Sequence, residues 1–335
     1  MKYIFHLVLF FVMATTVKAG TDLQLEDIVQ GVYATRGVSG VTPLNDGETY
    51  AMIQDAKRIV AYSFKTGEQT QVIFDADQTK GKTRLGRIDG YIMSPDEKNI
   101  LIRTETKPIY RRSRTAVYYI YNVRNKTLER LSDGGPQECP VFSPDGNMIA
   151  FVREGNIFLV KLLFNNAESQ VTKDGEYNKV INGKPDWVYE EEFVTDCSLC
   201  FNADNTMLMW IRYDESEVPL YSFPLFKGSF PEMEEYADYP GAYTYKYPVA
   251  GAKNSKVSVH SYDIKSHVIR QIKLETGEED YIPRIFATSD PTKLAIFTLN
   301  RHQDRMDVYM ANPRSSEVKM VVRDEVSPYI TEDMY

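Results

Sequence analysis

The feature that most constrains the fold is a short motif that recurs along the chain. Each copy has an apolar lead-in, a polar turn centred on an aspartate and a second apolar run, as in "YIMSPDEKNILIR" and "VFSPDGNMIAFVR". The five aspartates follow one another after 50, 49, 59 and 86 residues; they are Asp46, Asp96, Asp145, Asp204 and Asp290. Because proline fixes φ early in such a turn and aspartate caps its own backbone, each copy predicts two antiparallel strands joined by a tight turn.

The length of the repeat indicates the architecture. A second hairpin, such as "VREGNIFLVKL" or "YNVRNKTLERL", follows the turn, which gives about four short strands in roughly 50 residues. One such sheet cannot bury both of its faces alone, so the sheets must stack as blades. We therefore predict an all-β fold, a β-propeller over residues 41–335 with about five blades.

Two regions depart from the regular repeat. The stretch from 217 to 254 is rich in Tyr and Pro, and it predicts an extended strand–loop excursion within the fourth blade, with a whole irregular blade as the alternative. The last residues, "VSPYITEDMY", look like the start of a sixth blade. Since a propeller must close to protect its strand edges, we expect the ring to be incomplete within this chain.

The first 19 residues form a separate segment. A positive start at Lys2, an apolar run and a small-residue exit at Ala19 are typical of a secretory signal peptide, with an uncleaved anchor as the alternative. We expect the protein to be exported to the periplasm, the cell surface or the medium.

A short helical segment is predicted between the signal peptide and the repeats, in residues 20–40. Its apolar residues recur with helical spacing; they are Leu25, Ile28, Val29 and Val32. Thr21 could cap this helix, with Gln24 three residues later. An amphipathic helix of this kind needs an apolar surface on which to dock.

Composition and motifs exclude several classes of function. The net charge of −8 supplies no basic face for a nucleic acid. The sequence has no G-x-S-x-G, no H-E-x-x-H and no zinc-type spacing, so it predicts no catalytic nucleophile, no metal site and no cofactor. Cys197 and Cys200 could close a disulfide, but we favour buried thiols for them and for Cys139 because free cysteine packs as a small hydrophobe.

The segment "PDWVYEEEF", residues 185–193, concentrates negative charge beside aromatic residues. Asp186 follows a proline and is suited to start a short helix. On a helix Glu190, Glu191 and Glu192 diverge by about 100° each, so two of them can share a side. A fixed pair of carboxylates would bind an ammonium ion through charge-assisted hydrogen bonds; a solvated acidic turn is the alternative.

Several segments together resemble the N-terminal part of the dipeptidyl peptidase IV family. The motifs that carry the resemblance are "DWVYEEE", "RSRTAVYYIYNV", "DESEVPLYSF" and "YPVAGAKN", and the similarity covers nearly all of the chain after the signal peptide. The resemblance implies an eight-bladed propeller that covers a C-terminal α/β-hydrolase domain, which is missing from these residues. The helical segment at 20–40 would dock on that domain.

The resemblance also implies an activity and site residues. The parent would be a serine-type dipeptidyl peptidase that removes N-terminal dipeptides with Pro or Ala at the second position. Glu191 and Glu192 would bind the free α-amino group of the peptide, while Glu190 would point elsewhere. An arginine in the strand before "YYIY" would contact a substrate carbonyl; Arg111 is the better match and the adjacent Arg112 is the alternative, since strand alternation points one of them inward.

The expected partners follow from the same resemblance. They are peptides with a free N-terminus and the hydrolase domain of the same protein, and a homodimer is left open. Because the catalytic Ser, Asp and His would lie in the hydrolase domain, this chain alone would be inactive. The rival hypothesis is a non-catalytic exported β-propeller that binds proteins, since a fold does not decide a function.

Overall fold

The computed structural model describes residues 23–35, 40–226 and 239–331, and the chain divides into two units, 1–41 and 42–335. In the first unit the predicted helix is present as α1 (Leu25–Val29), and none of its residues is buried. Gln24 occupies the N-cap position, so the predicted capping register was wrong. Thr21 and the predicted signal peptide lie outside the described residues.

No helix in the described part of the chain is long and apolar enough to cross a membrane.

The second unit consists of antiparallel sheets, and four of them contain four strands that are neighbours in chain order. Sheet 1 contains β1 (Thr42–Pro43), β2 (Thr49–Gln54), β3 (Arg58–Ser63) and β4 (Gln69–Asp75), followed by a 3₁₀ turn (Ala76–Gln78). Sheet 2 contains β5 (Gly90–Met93), β6 (Asn99–Pro108), β7 (Arg114–Asn122) and β8 (Thr127–Arg130). Sheet 3 contains β9 (Glu138–Phe142), β10 (Met148–Arg153), β11 (Asn156–Lys161) and β12 (Ala167–Gln170), with a 3₁₀ turn (Leu162–Phe164) before β12.

The fourth sheet has five strands and carries the insertions. It contains β13 (Val180–Asn182), β14 (Leu199–Phe201), β15 (Met207–Asp214), β18 (Lys256–Asp263) and β19 (Val268–Ile272). Both β13 and β14 pair with β15, and helix α2 (Trp187–Glu192) lies between them in the chain. Sheet 5 contains β20 (Tyr281–Ala287), β21 (Leu294–Leu299), β22 (Arg305–Ala311) and β23 (Val318–Glu325).

The predicted excursion is a two-stranded hairpin inserted between β15 and β18 of sheet 4. Its strands are β16 (Leu220–Leu225) and β17 (Gly241–Lys246), paired from end to end. The residues between them, 227–238, lie outside the described residues. The alternative of an additional irregular blade was wrong, because β15 and β18 pair directly over their whole length.

Each of the five predicted turns joins two hydrogen-bonded antiparallel strands that follow one another in the chain, one turn in each of the five sheets. In each turn the aspartate Oδ1 accepts a hydrogen bond from the backbone N–H two residues later; the five aspartates are Asp46, Asp96, Asp145, Asp204 and Asp290. The carboxylate replaces a backbone acceptor inside the turn. Each copy of the sequence motif thus corresponds to one sheet of the structure.

Consecutive sheets pack face to face through four hydrophobic clusters, one for each neighbouring pair. In the central strand β6, Ile100 and Ile102 contact the cluster with sheet 1, and Leu101 between them contacts the cluster with sheet 3. Side chains alternate across a strand, so a strand buried on both faces must be apolar at every position. This stacking of four-stranded antiparallel sheets is a β-propeller arrangement.

The segment that was predicted to start a sixth blade contains no strand between residues 326 and 331. Ile330 is nevertheless buried, in the cluster between sheets 4 and 5. Its backbone N–H donates to the carbonyl of Gln303.

Candidate functional site

Helix α2 is fixed at its start by a buried aspartate. Asp186 occupies the N-cap position, where Oδ1 accepts a hydrogen bond of 2.9 Å from the backbone N–H of Tyr189. Its second oxygen, Oδ2, accepts one of 2.5 Å from Ser255 Oγ at the start of β18. Burial raises the pKa of the Asp186 carboxyl, although these hydrogen bonds oppose the shift. The prediction that Asp186 starts the helix is confirmed.

The apolar side of α2 packs into the cluster between sheets 4 and 5. Tyr189 is fully buried, its ring contacts those of Tyr213 and Phe193, and its hydroxyl accepts a hydrogen bond of 3.0 Å from the backbone N–H of Ile282 in β20. The carbonyl of Phe193, which follows the helix, accepts a hydrogen bond from Arg284 of the same strand. The helix is therefore held by both neighbouring sheets.

The three glutamates have three different environments. Glu190 is completely buried, Glu191 is half-buried with a side chain 16% exposed, and Glu192 is exposed. Glu190 thus diverges from the other two, which both remain accessible to solvent. In the described part of the chain, the side chain of Glu192 has no hydrogen-bond or ion-pair partner. Its charge acts on the nearby Tyr281, whose pKa is raised mainly by burial.

The two candidate arginines lie in the bend between β6 and β7, so the prediction that they belong to a strand was wrong. Within the bend, the two arginine side chains nevertheless contact different groups. Arg111 Nε donates a hydrogen bond of 2.8 Å to Glu191 Oε2, while Arg112 Nη1 donates one of 3.0 Å to the backbone carbonyl of Glu190. The guanidinium of Arg111 is therefore paired with a carboxylate that solvent reaches.

Glu190 fastens this bend to the helix. Its Oε1 accepts hydrogen bonds from the backbone N–H groups of Arg112, at 2.5 Å, and of Ser113, at 2.8 Å. Its Oε2 is buried without a hydrogen-bond partner among the described residues. Because the carboxylate holds the main chain directly beside Arg111, it determines where that guanidinium can lie relative to α2.

Aromatic residues at the base of the β16–β17 hairpin brace the same two elements. The rings of Tyr245 and Tyr110 lie 5.3 Å apart, centroid to centroid, and those of Tyr247 and Trp187 lie 4.2 Å apart. Tyr243 Oη also donates a hydrogen bond of 3.4 Å to the carbonyl of Ile109. The hairpin therefore contacts the bend and the first residue of the helix together.

The three cysteines are free thiols, and all are half-buried. Cys139 Sγ donates to the carbonyl of Asp196, and Cys197 Sγ lies 4.0 Å from the carbonyl of Cys139. The thiol of Cys139 thus lies beside Cys197, and their interaction raises the pKa of Cys139. Cys197 and Cys200 are therefore free thiols, but they are half-buried and not buried as the sequence predicted.

The arrangement presents two accessible carboxylates and one guanidinium from two rigidly supported elements. An ammonium ion placed beside Glu191 and Glu192 could donate charge-assisted hydrogen bonds to both carboxylates, and Arg111 could donate to a carbonyl next to it. Because the helix and bend are already fixed by buried groups, such a ligand would order few side chains on binding.

Sequence reasoning missed the supporting residues. Glu190 was expected to point away from the site, and it does, but the pattern did not show that its carboxylate holds the bend. A usable signal was its spacing: Glu190 is three residues before the buried Phe193 and four after the buried Asp186, hence on a buried side of the helix. The residues whose backbone N–H groups donate to its carboxylate, Arg112 and Ser113, lie 78 and 77 residues away in sequence.

The fold and the site define a β-propeller domain that carries a carboxylate-bearing helix between two of its blades. A family model described as the dipeptidyl peptidase IV (DPP IV) N-terminal region matches residues 94–334. The chain belongs to this family.

Two fungal relatives illustrate the extent of the similarity. An Emericella nidulans protein named Probable dipeptidyl-aminopeptidase B is 29% identical over 331 residues, which cover 92% of this chain and 36% of that protein. The protein of the same name from Coccidioides posadasii (strain C735) is 31% identical over 250 residues, 71% of this chain and 27% of that protein. The chain thus spans about a third of the length of the first of these relatives.

A solved structure gives the same fold. The crystal structure of Porphyromonas gingivalis dipeptidyl peptidase 4 is similar with a TM-score of 0.87 and 37% sequence identity, covering 94% of this chain and 44% of that chain. The predicted β-propeller fold and the resemblance to the dipeptidyl peptidase IV family are confirmed.

Proposed function

We propose that this chain is the substrate-gating propeller of an exported, serine-type dipeptidyl peptidase. The enzyme would remove N-terminal dipeptides with Pro or Ala at the second position. The observation that carries the proposal is the pair of accessible carboxylates, Glu191 and Glu192, on a helix whose other side is buried. The family membership supports a peptidase parent.

In this proposal the positive partner of the helix is a peptide N-terminus. Glu191 Oε2 is occupied by Arg111, which leaves Oε1 and the whole carboxylate of Glu192 for the three N–H donors of an α-ammonium group. Arg111 would donate to the first carbonyl of the peptide. Fixing the amine at this point limits how many residues fit before the scissile bond, so two residues would be released at a time.

The chemical step would belong to an α/β-hydrolase domain of the same protein, which supplies Ser, Asp and His. The chain described here would bind and orient the substrate, and we expect it to show no hydrolysis by itself. Docking of α1 on the hydrolase domain is part of the same proposal.

The test is steady-state kinetics on the protein that carries this chain together with the hydrolase domain. Glu191→Ala and Glu192→Ala should each lower kcat/KM for a Gly-Pro chromogenic substrate at least tenfold, because a charge-assisted hydrogen bond contributes about 1.5–3 kcal/mol. Misplacement of the amine should lower kcat as well as raise KM. Acetylation of the substrate N-terminus should abolish turnover.

Three results would count against the proposal. Equal turnover of the acetylated substrate would show that no ammonium group is bound. Unchanged kinetics of Glu191→Ala and Glu192→Ala would show that the helix is not the binding element, and a protein without any peptidase activity would favour the binding-module hypothesis.

A further inference from the structure

A cavity lies against the bend that carries Arg111, but Arg111, Glu191 and Glu192 are not among the residues that line it. Its volume is about 350 Å³, within the range of roughly 300–1,000 Å³ that is typical of small-molecule sites. Its walls include Ile109, Tyr110, Val180, Ile181 and Pro185, which are buried or half-buried apolar and aromatic residues. An apolar molecule of modest size could therefore be enclosed here.

The cavity also contains a buried carboxylate, that of Glu215 directly after β15. This residue is 6% exposed, and its main chain is fixed by hydrogen bonds with Lys179 and Val218, of 2.7 and 3.0 Å. Within the described ranges its side chain has no hydrogen-bond or ion-pair partner. Burial, with the charge of Asp186 as the next cause, raises the pKa of Glu215 to about 7, while Lys184 and Lys246 oppose the shift.

Among the described residues, the other charged side chains that line the cavity have partners, except that of the exposed Glu154 at its rim. Glu138 accepts a hydrogen bond of 2.6 Å from Lys184, and Asp186 is satisfied by Ser255 and by the backbone of α2. Lys246, the second cation near Glu215, donates to the carbonyl of Val218 at 2.7 Å. The buried Glu215 thus lines a cavity that has both apolar and charged walls, and its carboxylate has no hydrogen-bond donor among the described residues, an arrangement that is costly unless a ligand supplies one.

We propose that this cavity, the Glu215 cavity, binds a small amine with an apolar body. The ammonium group would donate to the Glu215 carboxylate, and the apolar body would lie against Tyr110, Val180 and Pro185. Tyr110 adds an aromatic face, which also favours a cation. The proposal concerns a site separate from the one assigned to the peptide N-terminus.

The test is a titration of the purified protein with phenethylamine by isothermal calorimetry at about pH 8, where Glu215, with a pKa of about 7, is ionised. We expect saturable binding to one site. Glu215→Gln should weaken it at least tenfold, and so should replacing the amine by 2-phenylethanol, which keeps the apolar body and lacks the charge. Glu154→Gln, at the exposed rim of the same cavity, is the matched control and should change nothing.

Further variants distinguish the two amine sites and guard against a folding defect. The double variant Glu191→Gln/Glu192→Gln should bind phenethylamine like the wild type, and Ile109→Trp, which fills the cavity from the half-buried bend, should abolish binding. Thermal melting of each variant verifies its fold. If Glu215→Gln fails to fold, the binding of phenethylamine by Ile109→Trp and the binding of 2-phenylethanol by the wild type test the proposal instead.

Four outcomes would overturn the proposal: no saturable binding of phenethylamine, equal binding of the alcohol, unchanged binding by Glu215→Gln, or unchanged binding by Ile109→Trp. Loss of binding in the double variant with retention in Glu215→Gln would assign the amine to the helix site. That result would support the proposed function while rejecting the Glu215 cavity.

Discussion

Arg111 and Glu191 are 80 residues apart in sequence, and Arg111 Nε donates a hydrogen bond of 2.8 Å to Glu191 Oε2. The arginine side chain is 71% exposed and the glutamate side chain 16%. Ion pairs of this exposure contribute little to stability, because water competes for both groups. The role of the pair is positional, because it places a guanidinium beside a carboxylate that solvent can reach.

Replacing Arg111 should therefore separate function from stability. Arg111→Ala should change the free energy of unfolding by less than about 1 kcal/mol and lower kcat/KM for a dipeptide substrate about tenfold or more. The matched control is Arg87→Ala, since Arg87 forms a similar exposed pair with Asp89 at 2.9 Å. Urea unfolding of the two variants measures the change in stability, and initial rates measure the change in kcat/KM. A large loss of stability in Arg111→Ala alone would contradict the positional role of the pair.

Glu190 should be the most important of the three glutamates for stability. In Glu190→Ala the backbone N–H groups of the half-buried residues Arg112 and Ser113 lose their acceptor, and a hydrogen bond to a charged group contributes about 1.5–3 kcal/mol. Glu190→Ala should also lower activity, although Glu190 itself is not assigned to the ligand, because the bend that carries Arg111 is loosened. Urea unfolding provides the stability value.

The conservative variant Glu190→Gln is the control for this prediction. It keeps one carbonyl oxygen that can accept from the bend, so it should retain more stability and more activity than Glu190→Ala. An alanine variant as stable as wild type would show that the two short hydrogen bonds do not hold the bend.

The hydroxyl of Tyr189 gives a third prediction. Tyr189→Phe removes the acceptor of the buried Ile282 N–H and should lower the free energy of unfolding by about 1–3 kcal/mol. Tyr177→Phe, whose hydroxyl is on a residue 79% exposed, should be neutral. Chemical denaturation of both variants is the measurement, and equal stability of the two would mean that the hydroxyl does not tie α2 to sheet 5.

Glu215 makes stability depend on pH in a defined direction. Its pKa is raised from 4.5 to about 7, chiefly by burial, so the folded state binds more protons than the unfolded state between these values. Stability should consequently fall as the pH rises through this window, by up to about 3 kcal/mol. Glu215→Gln should remove this part of the pH dependence and be more stable than wild type at pH 8.

The exposed Glu154→Gln is the control for the pH series. Unfolding is followed by circular dichroism at about pH 5 and pH 8. A Glu215→Gln variant that loses stability with pH as steeply as wild type would contradict the assignment of the effect to this residue.

The fold could be predicted well because its determinants are local. The turn aspartates each hydrogen-bond within two residues, and the alternation of Ile100, Leu101 and Ile102 reports two buried faces directly. Asp186 as a helix cap is equally local. Such features are encoded in a few neighbouring residues, so a single sequence shows them.

The candidate site could be predicted only in outline. The divergence of Glu190 follows from helical geometry, but its partners lie in a bend of sheet 2 and depend on how the sheets stack. The Arg111–Glu191 pair likewise depends on how the sheets stack. The bend around Arg111 also lacks the alternating pattern by which a strand is recognised in a sequence. Glu215 gave no signal at all, because the consequence of its burial depends on walls contributed by several distant segments.

The anchoring of α2 to sheet 5 has a consequence for the order of synthesis. The helix leaves the ribosome with its capping aspartate in place, yet the Ile282 N–H that binds Tyr189 is added 93 residues later. Domains fold as their parts emerge, and a helix of six residues has little stability of its own. The acidic helix therefore reaches its final position only after the fifth sheet has been made. Until then, the nascent chain contains the three glutamates but not the assembled site.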